Sequence, residues 1–227
     1  MTSAPTSAPT SAPTAGHTAT PIALNTWTAA TWKQYLTLVA DPAYSQAKGY
    51  YYNGFMRLEM SPLGNPHSRD HASLIFMLSL FAGIKGIDLD VHDNCSFRKM
   101  GYGEVQPDVA IYVDDRAEMI PWDVTIVDLD CYPAPDLTIE VAASSLADDK
   151  GEKRLLYESL GVREYWIVDV TQAEILAFSV HDRGSFRIDT SAVLPGLEID
   201  LLVEALRRSR ESNHGKVSTW LLQEFQK

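Results

Sequence analysis

The stretch from Asp136 to Val170 constrains the fold more than any other part of the sequence. It contains the β-prone run DLTIEVAA, a helical run from about Asp149 that ends at Gly161, and then the apolar run EYWIVDV. Glycine is a frequent helix stop, and short runs of β-branched and aromatic residues favour strands. The order strand, helix, strand predicts an α/β domain with a central mixed sheet flanked by helices.

Other segments extend this pattern. Asn53-Gly54 in GYYYNGFMRLEM is typical of a tight hairpin, and Thr31 is positioned to cap a short helix that reaches Val39. Apolar residues at three- and four-residue steps predict a second helix from Ser68 to Ile84. IDLDVHDNCSFRK and PDVAIYV predict two strands beside DLTIEVAA. EILAFSV and SFRIDTS predict a later hairpin, and LLVEALRRSRES predicts a terminal helix.

The length of 227 residues suits one domain with extensions. Residues 1–24 form a tail rich in Thr, Ser, Ala and Pro that offers little to bury, so we expect it to be disordered. Residues 25–210 should form the domain, and residues 211–227 a C-terminal helical extension.

Composition excludes several classes of protein. Neither a disulfide framework nor a thiolate zinc site is expected, because Cys95 and Cys131 are the two cysteines and no CxxC occurs. No apolar run is long enough to span a bilayer and no secretory signal is recognisable, which predicts a cytoplasmic protein without membrane contact. The net charge of −11 argues against general coating of polyanions but leaves room for a local binding cleft.

Two acids stand in otherwise apolar strands. Asp108 begins PDVAIYV, and Glu140 lies in the middle of DLTIEVAA. A buried carboxylate is costly unless it is paired or binds a cation, so two on adjacent strands suggest a divalent metal held by oxygen ligands. The alternative is that each acid caps a loop or pairs with a basic residue.

Lys153 follows one helix later, in DKGEKRLLY, where its ammonium can reach back to the two acids. Two carboxylates holding Mg²⁺ against a phosphodiester, with an ammonium beside them, meet the needs of phosphate hydrolysis. The alternative is a solvated lysine on the outer face of the helix.

The order of these motifs resembles a known family. MSP with a following histidine, QPDVAIYV, PDLTIEVAAS and DKGEKRLLYESLGVREYWIVDV are similar to the Uma-type family of proteins assigned as restriction endonucleases, formerly a domain of unknown function. The resemblance runs from about Thr31 to Leu202. It implies the PD-(D/E)XK nuclease fold, a restriction-endonuclease-like mixed sheet flanked by helices.

The resemblance also implies the site. Pro107-Asp108 matches the PD, and Glu140 matches the second acid, while the usual lysine position falls on Ala142. In this family the lysine role passes to the following helix, so the resemblance gives it to Lys153. Asp108 and Glu140 would hold Mg²⁺, with Mn²⁺ as a substitute. DNA is the implied substrate, and a homodimer is expected because many nucleases of this fold pair to cut both strands.

Glu59 and His67 are additional candidates at matching family positions. Glu59 would be a further metal ligand, or else a solvent-facing acid or the partner of Arg57 or Arg69. His67 would contact phosphate, move a proton or cap a loop. His67 and His71 have the four-residue spacing of a zinc-protease motif, but Ser68 stands where that motif needs glutamate.

Two functions follow from the sequence. The first is a Mg²⁺-dependent endonuclease that hydrolyses phosphodiester bonds in DNA. The alternative is a nuclease-fold protein that has lost cleavage and binds nucleic acid or a protein partner. The presence of Asp108, Glu140 and Lys153 favours the enzyme. The cluster of Tyr50, Tyr51, Tyr52 and Phe55 either stacks on bases or packs against the sheet.

Overall fold

The computed structural model describes residues 22–60, 64–182 and 184–227. The predicted disordered tail therefore lies outside the described residues, except for residues 22–24. Ile22 and Leu24 pack against a small apolar cluster around Tyr35. In the described ranges, no helix combines the length and hydropathy that crossing a membrane would require.

One six-stranded sheet is built around the predicted N-terminal hairpin. Across the sheet its strands are β1 (Thr28–Ala29), β3 (Phe55–Glu59), β2 (Lys48–Tyr52), β6 (Gly103–Val105), β5 (Ser96–Lys99) and β8 (Ile126–Asp128). Asn53 and Gly54 join β2 to β3 with φ of 50° and 79°, the left-handed conformations that a two-residue type I′ turn needs. The predicted hairpin is confirmed.

The second six-stranded sheet contains the segments that the sequence placed around DLTIEVAA. Its order is β12 (Gly184–Arg187), β11 (Glu174–His181), β10 (Glu164–Asp169), β9 (Leu137–Ala142), β7 (Val109–Val113) and β4 (Leu89–Asp93). β9 and β10 are parallel, and the neighbouring pairs are antiparallel. The predicted strand, helix, strand unit is thus confirmed.

Six α-helices within the described ranges flank the sheets. They are α1 (Trp32–Val39), α2 (Asn65–Lys85), α3 (Leu146–Lys150), α4 (Glu152–Leu160), α5 (Ile199–Glu211) and α6 (His214–Phe225). Thr31 caps α1 through a capping box with Gln34, as expected. α6, the predicted C-terminal extension, contributes Val217, Leu221 and Phe225 to the main core.

The two faces of the second sheet are buried in different surroundings. Ile139 and Val141 point to the core formed with α2, α5 and α6. Because side chains alternate along a strand, Glu140 points to the opposite face, where Tyr50 of the first sheet and Tyr157 of α4 lie. A carboxylate is therefore enclosed between the two sheets and α4.

The predicted α/β class with mixed sheets and flanking helices is confirmed, but two details differ. The segment read as one strand, residues 87–99, divides at Asn94, whose φ of 53° turns the chain so that β4 and β5 enter different sheets. The helix predicted from about Asp149 divides at Gly151, which has a non-helical ψ of −109°. Glycine is a weak helix former, so it accommodates this break between α3 and α4.

Candidate active site

The antiparallel pairing of β7 with β9 brings the two predicted acids together. Val109 lies opposite Ile139, so Asp108, directly before β7, reaches the position beside Glu140. Both acids line a cleft of about 720 Å³, as do Glu59 and His67. A cleft of this size is in the range of ligand-binding sites. Four of the five predicted site residues thus share one cleft, whereas Lys153 lies behind its wall.

Both oxygens of the Asp108 carboxylate have partners. Oδ1 accepts a hydrogen bond from Lys48 Nζ at 2.5 Å, and Oδ2 accepts one from the backbone N–H of Val141 at 2.7 Å. His67 Nε2 lies 3.5 Å from Oδ2. Burial alone would raise the pKa of Asp108, but the His67 hydrogen bond and the Lys48 charge hold that pKa well below its usual value. Asp108 is therefore ionised at neutral pH.

Glu140 is in the opposite electrostatic state. Its Oε1 accepts a hydrogen bond from Tyr157 at 2.6 Å and a longer one from Tyr50 at 3.3 Å, and Lys153 Nζ lies 3.4 Å from Oε2. Burial raises the pKa of Glu140 to about 8, and the nearby charge of Asp149 adds to the rise that Lys153 opposes. Without a further cation, Glu140 holds a proton at neutral pH.

Lys153 of α4 is enclosed. Its side chain is 1% exposed, and Nζ lies 3.0 Å from both Glu59 Oε1 and Asp149 Oδ1 and 4.2 Å from the centre of the Tyr50 ring. Burial alone would lower the pKa of Lys153, but the surrounding carboxylates, Glu140 first, raise it well above its usual value. The alternative of a solvated lysine is therefore wrong, and Lys153 is a buried counter-ion.

Glu59, at the end of β3, lies beside both the cleft and Arg57, so of the alternatives that the sequence left open the structure shows the pairing with Arg57. It lines the cleft, and it accepts a hydrogen bond from Arg57 Nε at 2.7 Å. Arg57 also contacts Asp148 at 3.0 Å. Arg69, the other candidate partner, instead donates to the backbone carbonyl of Ser209.

The two histidines at the start of α2 do not converge on one ion. His67 faces Asp108, and its Nδ1 is buried without a hydrogen-bond partner in the described part of the chain. His71 Nε2 instead lies 3.0 Å from the backbone carbonyl of Asp108 and 3.4 Å from Asp93. The geometry gives no support to a zinc-protease site.

Comparison with known proteins shows the family of the chain. The family model Uma2, described as "Putative restriction endonuclease", matches residues 32–211, from the start of α1 to the end of α5. The chain belongs to this family. The resemblance found in the sequence is thereby confirmed. A search of curated proteins gives no match.

The Uma2 chain also resembles a solved structure, a putative nuclease belonging to DUF820 from Anabaena variabilis ATCC 29413. The identity is 16%, the match covers 70% of this chain and 90% of that chain, and the TM-score is 0.53. At this identity the likeness supports the fold alone. The family match alone places the chain among nuclease-type proteins.

Restriction-endonuclease-like nucleases typically use a divalent metal, and the donors in this Uma2 cleft fit one. Asp108 and Glu140 offer hard carboxylate oxygens at one end of the cleft. Among the described residues, no group of three or more His, Cys, Asp or Glu is arranged to hold an ion. Mg²⁺ is commonly bound by one or two carboxylates and completes its shell with water and substrate phosphate, so two acids suffice.

Sequence reasoning missed one cleft residue, Lys48, which starts β2, 60 positions from its partner Asp108, with no short motif that links them. For Tyr50 the sequence left base stacking and packing against the sheet open, and the structure supports packing. Tyr50 is buried and donates to Glu140 and to the Gln106 carbonyl. Gly49, Tyr50 and Tyr51 are all buried, so β2 is covered on both faces and no alternation in its sequence marks the face on which Tyr50 lies.

Proposed function

We propose that this protein is a Mg²⁺-dependent endonuclease that hydrolyses phosphodiester bonds in DNA, with Mn²⁺ as a substitute metal. The observation that carries the proposal is the meeting of Asp108 and Glu140 at one end of a cleft. Asp108 is ionised, and Glu140 holds a proton that a bound cation can displace. This pairing suits a site that gains a positive ion together with its substrate.

Asp108 and Glu140 would hold the metal, with Glu59 as the additional acid on the same cleft. When bound, Mg²⁺ would polarise the scissile phosphate and neutralise the charge that develops on its oxygens. The rest of the chemistry falls to the residues that position these acids. Val141 N–H and His67 orient the Asp108 carboxylate, and Tyr157 fixes Oε1 of Glu140.

In this proposal Lys153 completes the site as a positioning residue. Its ammonium holds Glu140, Glu59 and Asp149 within about one hydrogen-bond length of itself, at 3.4, 3.0 and 3.0 Å. Burial raises the pKa of Glu140 to about 8 and also raises that of Asp149, so three carboxyl groups that share a single ammonium retain a proton, which we assign to Glu140. Lys153 therefore controls where the exchangeable proton of the site is held.

His67 is the proposed proton-handling group at the cleft. Its Nε2 faces Asp108, and its Nδ1 has no protein partner within the described ranges. A ring with one nitrogen held and the other uncommitted can pass a proton to or from a reacting oxygen.

The proposal is tested by cleavage of supercoiled and linear DNA with and without Mg²⁺. The parent should cut only with the metal, and Asp108→Asn should lose cleavage by about two orders of magnitude or more. Asp115→Asn, an exposed acid after β7, is the matched control and should cut like the parent. If the parent binds DNA but cuts neither DNA nor RNA with any divalent metal, the non-cutting alternative replaces the nuclease. The homodimer and the cytoplasmic location expected from the sequence stay predictions.

A further inference from the structure

Lys48 is placed unlike any other cation of the cleft. It begins β2 opposite Glu59 in the hairpin, and its ammonium reaches Asp108 Oδ1. Its side chain is 18% exposed, whereas that of Lys153 is 1% exposed. Lys48 lines the cleft and Lys153 does not. A ligand in the cleft therefore meets the ammonium of Lys48.

The other cations near the cleft are already committed. Arg57 is 4% exposed and is held by Glu59, Asp148 and the Asn25 carbonyl. Lys48 has Asp108 as its protein partner, and an ammonium has three N–H donors. Within the described residues its remaining donors meet no acceptor, so they are free to bind an anion.

A second cavity meets the cleft at this residue. It has a volume of about 450 Å³, and it shares the wall residues Gln46 and Lys48 with the cleft. Its other polar wall residues include Asn94, Ser96 and Arg98, and Arg98 is paired with Glu104 of the same wall, which leaves Lys48 as the cation available to an anion there. A polyanion that extends from one cavity into the other passes directly over Lys48.

We propose that Lys48 is the phosphate-binding cation of the cleft and that a polynucleotide backbone crosses it between the two cavities. This inference rests on the proposed nuclease function and adds a residue to it. The ammonium contacts a backbone phosphate next to the scissile one, which the metal at Asp108 and Glu140 would bind. Lys153 then positions the carboxyl groups of the site, whereas Lys48 contacts the substrate directly.

The test is fluorescence anisotropy with a labelled DNA oligonucleotide, measured over a range of salt concentrations in Ca²⁺ buffer and in EDTA. Lys48→Met removes the charge and keeps the hydrophobic stem, Lys48→Gln keeps a donor to Asp108, and Lys48→Arg keeps the charge. Lys33→Met, at an exposed position of α1, is the matched control. Melting temperature and Mn²⁺ affinity are recorded for each variant.

Both neutral Lys48 variants should bind DNA about tenfold more weakly at low salt, with a salt slope smaller by roughly 0.7 to 0.9, the value for one lost phosphate contact. Lys48→Arg should restore the slope, and Lys33→Met should match the parent. If the neutral variants keep the parental slope and change only Mn²⁺ affinity or melting temperature, Lys48 is merely the counter-ion of Asp108. A parent that binds no nucleic acid under any condition overturns the nuclease proposal together with this inference.

Discussion

Replacing Glu140 with glutamine should stabilise the metal-free protein, increasingly so as pH rises. Burial raises the pKa of Glu140 from its ordinary 4.5 to about 8, so the folded state retains a proton that the unfolded state releases. The unfolding free energy of the parent therefore falls as pH rises from 4.5 towards 8. Glutamine does not titrate, so the variant avoids this loss of stability. One proton is worth about 1.4 kcal/mol per pH unit, which gives up to about 5 kcal/mol over this interval.

The assay is urea unfolding in EDTA at several values between about pH 5 and pH 9. The difference in unfolding free energy, Glu140→Gln minus parent, should be small near pH 5 and should grow up to about pH 8. Asp108→Asn is the internal contrast, because its pKa is held low by His67 and Lys48 despite burial. It should be less stable than the parent by about 3 kcal/mol, with no slope over this range. A Glu140→Gln difference that does not change with pH would show that Glu140 is ionised throughout and that burial does not hold its proton.

Three further predictions concern metal, lysine and tail. In titration calorimetry, Asp108→Asn and Glu140→Gln should each bind Mn²⁺ more weakly than the parent, and equal affinities would place the metal elsewhere. Below about pH 8, Mn²⁺ binding to the parent should release the proton of Glu140, which is measured as a dependence of the binding heat on the buffer. Lys153→Met should slow DNA cleavage by about 100-fold, a loss of ~3 kcal/mol, and should also lower the melting temperature because it leaves buried acids unpaired. Lys150→Met, at an exposed position, should leave the cleavage rate and the melting temperature nearly unchanged. Deleting residues 1–20 should leave the melting temperature unchanged, and a clear fall would show that they contribute to folding.

The acids of the site could be predicted because each lies against apolar strand residues. Glu140 interrupts an apolar run and Asp108 directly precedes one, and a buried charge needs a partner or a cation. Lys153 was predicted through the family resemblance. Its burial was not, since a lysine on a short helix is usually solvated. Sequence alone suggests that Lys153→Ala would leave stability unchanged, whereas the three enclosing carboxylates predict destabilisation.

Contacts between distant segments could not be predicted in the same way. Lys48 meets Asp108 because β2 and β7 belong to different sheets that face each other across the cleft, and no local period encodes that approach. The division of residues 87–99 between the sheets depends on the left-handed conformation of Asn94. Asparagine tolerates this conformation but does not require it, so a continuous strand was an equally valid interpretation.

Asp108 and Glu140 together are proposed to hold a divalent cation in the cleft. This can be tested with a crystal structure of the protein soaked with Mn²⁺ and with anomalous scattering data. We expect an anomalous peak in the cleft within coordination distance of a carboxylate oxygen of each acid, about 2.0 to 2.1 Å for a Mg²⁺-type site, and its loss in Glu140→Gln crystals. A peak bound by other residues, or an empty cleft in crystals of a protein that still needs the metal to cut DNA, would contradict it.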